Sequence, residues 1–129
     1  MDFGILMIKI KKSNFLNLCS KAEKIFEKAA ETAQKIGEYA MAIECYRIIG
    51  TLNDTLLTKD KMIRYFEKCL DIAKLMDPSV REQSSLRFVA SMLILKYEGD
   101  RDKKQKLDSE MKTYFGDDWR VSVERPKAG

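Results

Sequence analysis

The sequence predicts an all-α protein, an array of about five antiparallel helices, and three observations carry that prediction. Helix formers such as Ala, Leu, Glu, Lys and Met are abundant, while the 129 residues include only six glycines and two prolines. Apolar residues recur at three- and four-residue spacing through most of the chain, the period of one helix face. The glycines stand far apart, at positions 4, 37, 50, 99, 116 and 129, and so mark segment ends rather than build loops.

Taken in order, residues 1–12, MDFGILMIKIKK, read as an N-terminal arm. Ile8 and Ile10 alternate with lysines, a strand signal, but so short a segment makes no sheet alone. Residues 117–129 read as a C-terminal tail. In WRVSVERP, Trp119, Val121 and Val123 alternate with Arg120, Ser122 and Glu124. The two ends are expected to pair as a short ribbon, to dock as arms on the helices or to stay mobile, and residues 13–116 form one helical domain between them.

The first helix is expected from Ser13 or Ser20 to Ile36. Ser20 and Glu23 have capping-box spacing, and Leu18, Ala22, Ile25, Phe26, Ala29, Ala33 and Ile36 form one stripe. Gly37 ends it, because glycine takes the left-handed cap conformation without penalty. A second helix returns antiparallel from Glu38 to about Thr51, closed by Gly50, Asn53 and Asp54. Thr58 caps a third helix with the stripe Met62, Phe66, Cys69, Leu70, Ala73 and Met76, stopped at Asp77-Pro78. Ser79 caps a fourth, to about Glu98. Its segment Leu86–Leu95, LRFVASMLIL, is apolar on nearly every side and is expected to be the most buried element. The fifth, from Arg101 to about Phe115, has one narrow stripe (Leu107, Met111, Tyr114, Phe115) and a charged outer face, as a terminal capping helix requires.

Composition excludes several functions. At this length folding buries roughly 65–70% of the unfolded chain's surface, so a core forms without metal or disulfide. The net charge is +4, from 24 basic and 20 acidic residues. Acids and bases are interleaved, which points to a solvated surface rather than a nucleic-acid footprint. Cys19, Cys45 and Cys69 are odd in number and widely spaced, and histidine is absent, so neither a zinc site of the usual kind nor a Cys–His nucleophile is available. The thiols fall on apolar helix faces and suit a reducing, cytoplasmic setting. No apolar window is long enough to span a bilayer, and GILMI lacks the preceding positive charge of a secretory signal, so no membrane association is expected. No glycine-rich phosphate loop occurs. Glu27/Glu31 and Asp117/Asp118 read as solvated charge, and Asp100, Asp102 and Asp108 lack calcium-loop spacing. No catalytic residue, metal or cofactor is expected.

The stretch Phe26–Asp54 carries a more particular pattern. Phe26, Ala29, Ala30 and Ala33, then Gly37 and Tyr39 at the turn, then Ala42 and Tyr46, alternate small and large residues across a helical hairpin. This resembles the tetratricopeptide repeat, a helix–turn–helix unit of about 34 residues. Ala30, Ala33 and Asp54 stand where that family has Gly, Tyr and Pro, so the unit is degenerate. A weaker second unit runs from about Ile63 to Leu95. The resemblance implies a non-catalytic adaptor or chaperone-like module that holds a peptide or partner helix in a groove made by the first helix of each unit. On this chain that face carries Lys24, Glu27, Glu31, Gln34 and Lys35, with Lys59, Arg64 and Lys68 from the second unit. Glu27 and Glu31 have the wrong sign for clamping a C-terminal carboxylate. Trp119 is read either as a tail anchor or as a partner-binding aromatic. Self-association through Leu86–Leu95 or the first helix is the expected accompaniment of so short an array. The alternative is nucleic-acid binding through the basic ends, Lys9, Lys11, Lys12, Arg120, Arg125 and Lys127.

Overall fold

A computed structural model describes residues 3–77 and 83–123, with side-chain surroundings over 13–77 and 85–123. It contains five helices and, among the described residues, no strand: α1 (Phe3–Lys35), α2 (Tyr39–Thr55), α3 (Lys59–Ala73), α4 (Gln83–Lys96) and α5 (Arg101–Phe115). The helices pack against one another chiefly in chain order, α1 on α2, α2 on α3, α3 on α4 and α4 on α5, with a lesser α2–α4 contact.

Two turns share one hydrogen-bond pattern. After α1, Glu38 N–H donates to Ala33 O (2.8 Å) and Gly37 N–H to Gln34 O (3.2 Å). After α2, Thr58 N–H donates to Asn53 O (2.9 Å) and Leu57 N–H to Asp54 O (3.1 Å). Both are Schellman motifs, which satisfy the last free carbonyls and need a left-handed residue at the fifth position. Gly37 fills that position in the first (φ 78°) and Leu57 in the second (φ 61°). The second turn is held further by the Thr58 hydroxyl, which donates to Asn53 Oδ1 at 2.7 Å, while buried Asn53 donates from Nδ2 to Ile49 O.

Several sequence expectations change here. Residues 3–12 are not a strand-like arm but the start of α1, which runs unbroken through Ser20. Leu, Met and Lys are good helix formers, and extending an existing helix adds one hydrogen bond per residue fixed, so the short Ile8/Ile10 alternation is overridden. At 33 residues α1 is about 50 Å long and outreaches the 17-residue α2 by roughly 25 Å. Phe15, Leu16 and Leu18 on this overhang are exposed. Ile25 and Ile36, read as stripe residues, are also exposed, and so is Ala29, because among its residues 13–35 α1 buries only the narrower line of Cys19, Ala30 and Ala33. Gly50 does not close α2. It sits inside the helix and meets the Phe66 ring of α3: a Cβ there would lie 2.3 Å from Phe66 Cε1. The glycine is a site of close helix approach rather than a stop. The proposed Ser79 cap lies outside the described residues, and α5 spans the expected Arg101–Phe115.

The core joins Ala30 and Ala33 of α1 to Ile43, Tyr46 and Ile49 of α2, Met62, Phe66 and Leu70 of α3, and Val89, Ala90 and Leu93 of α4. As expected, α4 is densely buried. From Leu86 to Leu95 only Arg87 and Phe88 are half-buried and only Leu95 is exposed. Phe88 packs edge-on to Phe66, ring centroids 6.4 Å apart.

Trp119 settles the tail. It is 1% exposed, and its indole N–H donates to Asp108 Oδ1 at 3.0 Å. Arg87 on α4 donates from Nε to Trp119 O (2.7 Å) and from Nη2 to Asp118 O (2.8 Å). Val121 N–H donates to the buried Ser91 Oγ at 3.0 Å. The segment 117–123 therefore docks on α4 and α5, and among the described residues it forms no ribbon with the N-terminal segment, where residues 3–12 are helical. Trp119 is an anchor, not a free partner-binding ring.

Candidate groove over the third helix

Helix α3 presents a polar row, Arg64, Glu67, Lys68 and Asp71, continued by Lys74 at its C-cap, spaced three and four apart and therefore on one side of the helix. The buried residues Met62, Phe66, Cys69 and Ala73 anchor the opposite side in the core, which fixes the rotation that turns this row outward. Helix α1 flanks it on one side and α5 on the other, and a cavity opens on each side.

The cavity toward α1, about 230 Å³, is lined by Gln34, Tyr46, Lys68, Asp71 and Ile72. Tyr46 from α2 forms its floor, with the hydroxyl donating to Gln34 Oε1 at 3.3 Å. Lys68 Nζ sits 5.1 Å above the Tyr46 ring and 5.2 Å above that of Tyr65, and it approaches Glu27 at 4.0 Å. The two tyrosines stack with centroids 6.0 Å apart, and Arg64 covers Tyr65 at 5.2 Å. Burial, helped by Glu31 and Glu27, pushes the Tyr46 phenol above its ordinary pKa, and burial with Glu27 and Glu23 does so for Tyr65. Both remain hydrogen-bond donors at neutral pH. At the far end Lys61 pairs with Glu23 at 3.3 Å, tying α3 to α1.

The cavity toward α5, about 190 Å³, is lined by Glu67, Leu70, Asp71, Lys74, Tyr97, Lys103, Lys106, Leu107 and Glu110. Tyr97, in the turn between α4 and α5, donates to Glu67 Oε1 at 2.8 Å, and Lys103 stands 5.3 Å over its ring. Burial and the Glu67 carboxylate raise the Tyr97 pKa far beyond that of a free phenol. Lys74 and Glu110 face each other at 4.0 Å. Asp71 lines both cavities, so they adjoin across α3.

Of the residues expected on the groove face, Glu27, Gln34, Arg64 and Lys68 come together around Tyr46 and Tyr65, and Glu31 is close enough to act on the Tyr46 phenol. Lys24 and Lys35 are exposed and line neither cavity. Lys59 lies at the start of α3 in a separate shallow depression with Leu57, Thr58, Asp60 and Lys61. Of the expected hairpin-packing residues, Ala30, Ala33, Ala42 and Tyr46 are buried, Phe26 and Tyr39 are half-buried, Ala29 is exposed, and Gly37 makes the turn. Sequence reasoning missed Tyr65, Glu67, Asp71, Tyr97, Lys103 and Lys106. The α3 part of that set was readable as a helical row. Arg120, expected as a basic-end contact, pairs with Asp108 at 3.4 Å and covers the Trp119 ring.

No protein-family model, curated protein or solved structure matches this chain. Among the described residues, no cluster of His, Cys, Asp and Glu is suited to hold a metal ion, and no helix is long and apolar enough to cross a membrane. Cys19, Cys45 and Cys69 are free and buried. Cys69 donates to Ile43 O at 3.4 Å, and burial pushes its thiol up to about 12, which removes thiolate chemistry at neutral pH.

Proposed function

We propose that this protein is a non-catalytic protein–protein interaction module, an adaptor or chaperone-like unit that holds a peptide or partner helix in the groove over α3. The observation that carries the reading is the pair of adjoining cavities centred on Asp71, walled by α1, α3 and α5. In a degenerate two-unit tetratricopeptide-like array with a capping helix, these are the helices that line the concave face. Each cavity is smaller than the range of about 300–1,000 Å³ usual for small-molecule sites, and both are open, which favours side chains of a partner over a bound metabolite. Tyrosine is enriched at protein–protein interfaces, and Tyr46 and Tyr97 each line one of the two cavities. The three free, buried thiols support a cytoplasmic setting.

The test is selection of random-sequence peptides on the protein, followed by titration of enriched peptides into isotope-labelled protein. Resonance shifts gathered at Gln34, Tyr46, Lys68, Asp71 and Tyr97 are the expected result. Shifts confined to other surfaces, or no enrichment, refute the assignment.

A further inference from the structure

We propose that the groove selects a dipolar partner segment, with a Lys or Arg side chain seated at Asp71 and an Asp or Glu side chain seated at Lys106. This rests on the groove reading and names the chemistry of its occupant. Most charges along the groove are already answered from within the fold. Lys68 has Glu27, Lys74 has Glu110, Glu67 receives the Tyr97 hydroxyl, and Lys103 lies over the Tyr97 ring. Among the described residues, Asp71 and Lys106 have exposed side chains that make neither a hydrogen bond nor an ion pair. They stand on opposite walls of one cavity, Asp71 on α3 and Lys106 on α5, and Leu70 and Leu107 give it an apolar floor.

Opposite charges that line one cleft without bridging it favour an occupant of matching polarity. A uniformly basic or uniformly acidic segment satisfies one wall and is repelled by the other. Because Asp71 also lines the cavity beside Tyr46 and Gln34, the partner's basic residue marks the point where the segment crosses α3.

The experiment measures the anisotropy of labelled peptides, enriched from a random library on the intact chain, against wild type, Asp71→Lys and Lys106→Glu. Both side chains are exposed, so unchanged far-UV circular dichroism and denaturation midpoints are expected, and Asp71→Asn and Lys106→Gln provide shape-conserving controls with smaller losses in the same direction. The expected peptides carry one basic and one acidic residue at a fixed separation. Asp71→Lys weakens them about tenfold, and changing the peptide's basic residue to Glu restores binding to that variant while weakening binding to wild type. Peptides that bind Asp71→Lys and Lys106→Glu as tightly as wild type overturn the charge assignment. If such peptides still move the Tyr46 and Tyr97 resonances, the groove reading stands without it. If those resonances do not move, both readings fall.

Discussion

Replacing Gly50 by alanine sets two known effects against each other. Gly to Ala inside a helix is favourable by about 1 kcal/mol on propensity alone. At this position, however, the new methyl would lie 2.3 Å from Phe66 Cε1 and 2.4 Å from Cδ1, where carbon atoms normally rest about 3.5–4.0 Å apart. Ring or backbone must retreat by more than about 1 Å. The Phe66 ring is fully buried and set edge-on against Phe88, so it has little room to yield. Overpacking of this kind costs about 1–3 kcal/mol, and so large an overlap belongs at or beyond the upper end. Gly50→Ala is therefore expected to lose about 2 kcal/mol net, lowering Tm by about 7 °C. Urea denaturation followed by far-UV circular dichroism measures it, and a cycle with Phe66→Leu isolates the contact. In the Phe66→Leu background the alanine should cost much less. A rise in the midpoint for Gly50→Ala, with no coupling to Phe66, would show that propensity dominates and that the helices do not approach closely there.

Leu57 adopts a left-handed conformation that costs a non-glycine residue about 1–2 kcal/mol, and its side chain is 89% exposed. Leu57→Gly gives back part of that gain through unfolded-state entropy and should raise stability by about 0.5–1 kcal/mol, whereas Gly37→Ala should lower it by about 1 kcal/mol; thermal melts of both variants decide. Hydrogen bonds from Lys112 and Trp119 hold the Asp108 carboxyl below its ordinary value of 3.8. Its folded pKa is depressed, so its contribution to tail docking is fully present above that value and disappears as pH falls through the lower folded value. Trp119 is the single tryptophan, so its emission should stay blue-shifted at neutral pH and move to the red on that acid limb, and Asp108→Ala should be red-shifted already at pH 7. Cys69 should resist alkylation at neutral pH and react only as the protein unfolds, and rapid labelling of the native state, read by mass spectrometry, would contradict its burial.

The sequence told most where meaning is local. Gly99-Asp100 and Gly116 bound α5 correctly, and Asp100 accepts a hydrogen bond from Lys103 N–H as an N-cap does. Gly37 was readable for the same reason. Gly50 was not, because its role depends on Phe66, sixteen residues further on and in another helix. The α1 start was misread because the residues before Ser13 carry no stop signal to outweigh helix propagation. On the face that the tetratricopeptide resemblance implied, Glu27, Gln34, Arg64 and Lys68 lie together around Tyr46 and Tyr65. Lys24, Lys35 and Lys59 did not join them, since spacing alone leaves each helix free to rotate about its axis. Tyr97, Lys103 and Lys106 were hidden because α5 was read only as a cover for the array's end.

Packing that runs from each helix to the next in the chain also governs how this molecule assembles. Contacts between chain neighbours need only short loops to close, so low contact order favours fast folding on the microsecond-to-millisecond scale usual for helical bundles. The α2–α3 hairpin, with its turn held by Asn53 and Thr58, is suited to form first, and α1 and α4 then add to its two sides. The clasp of Arg87 on the Trp119 backbone joins residues 32 apart, so its closure carries a larger loop-entropy cost than the turns between neighbouring helices.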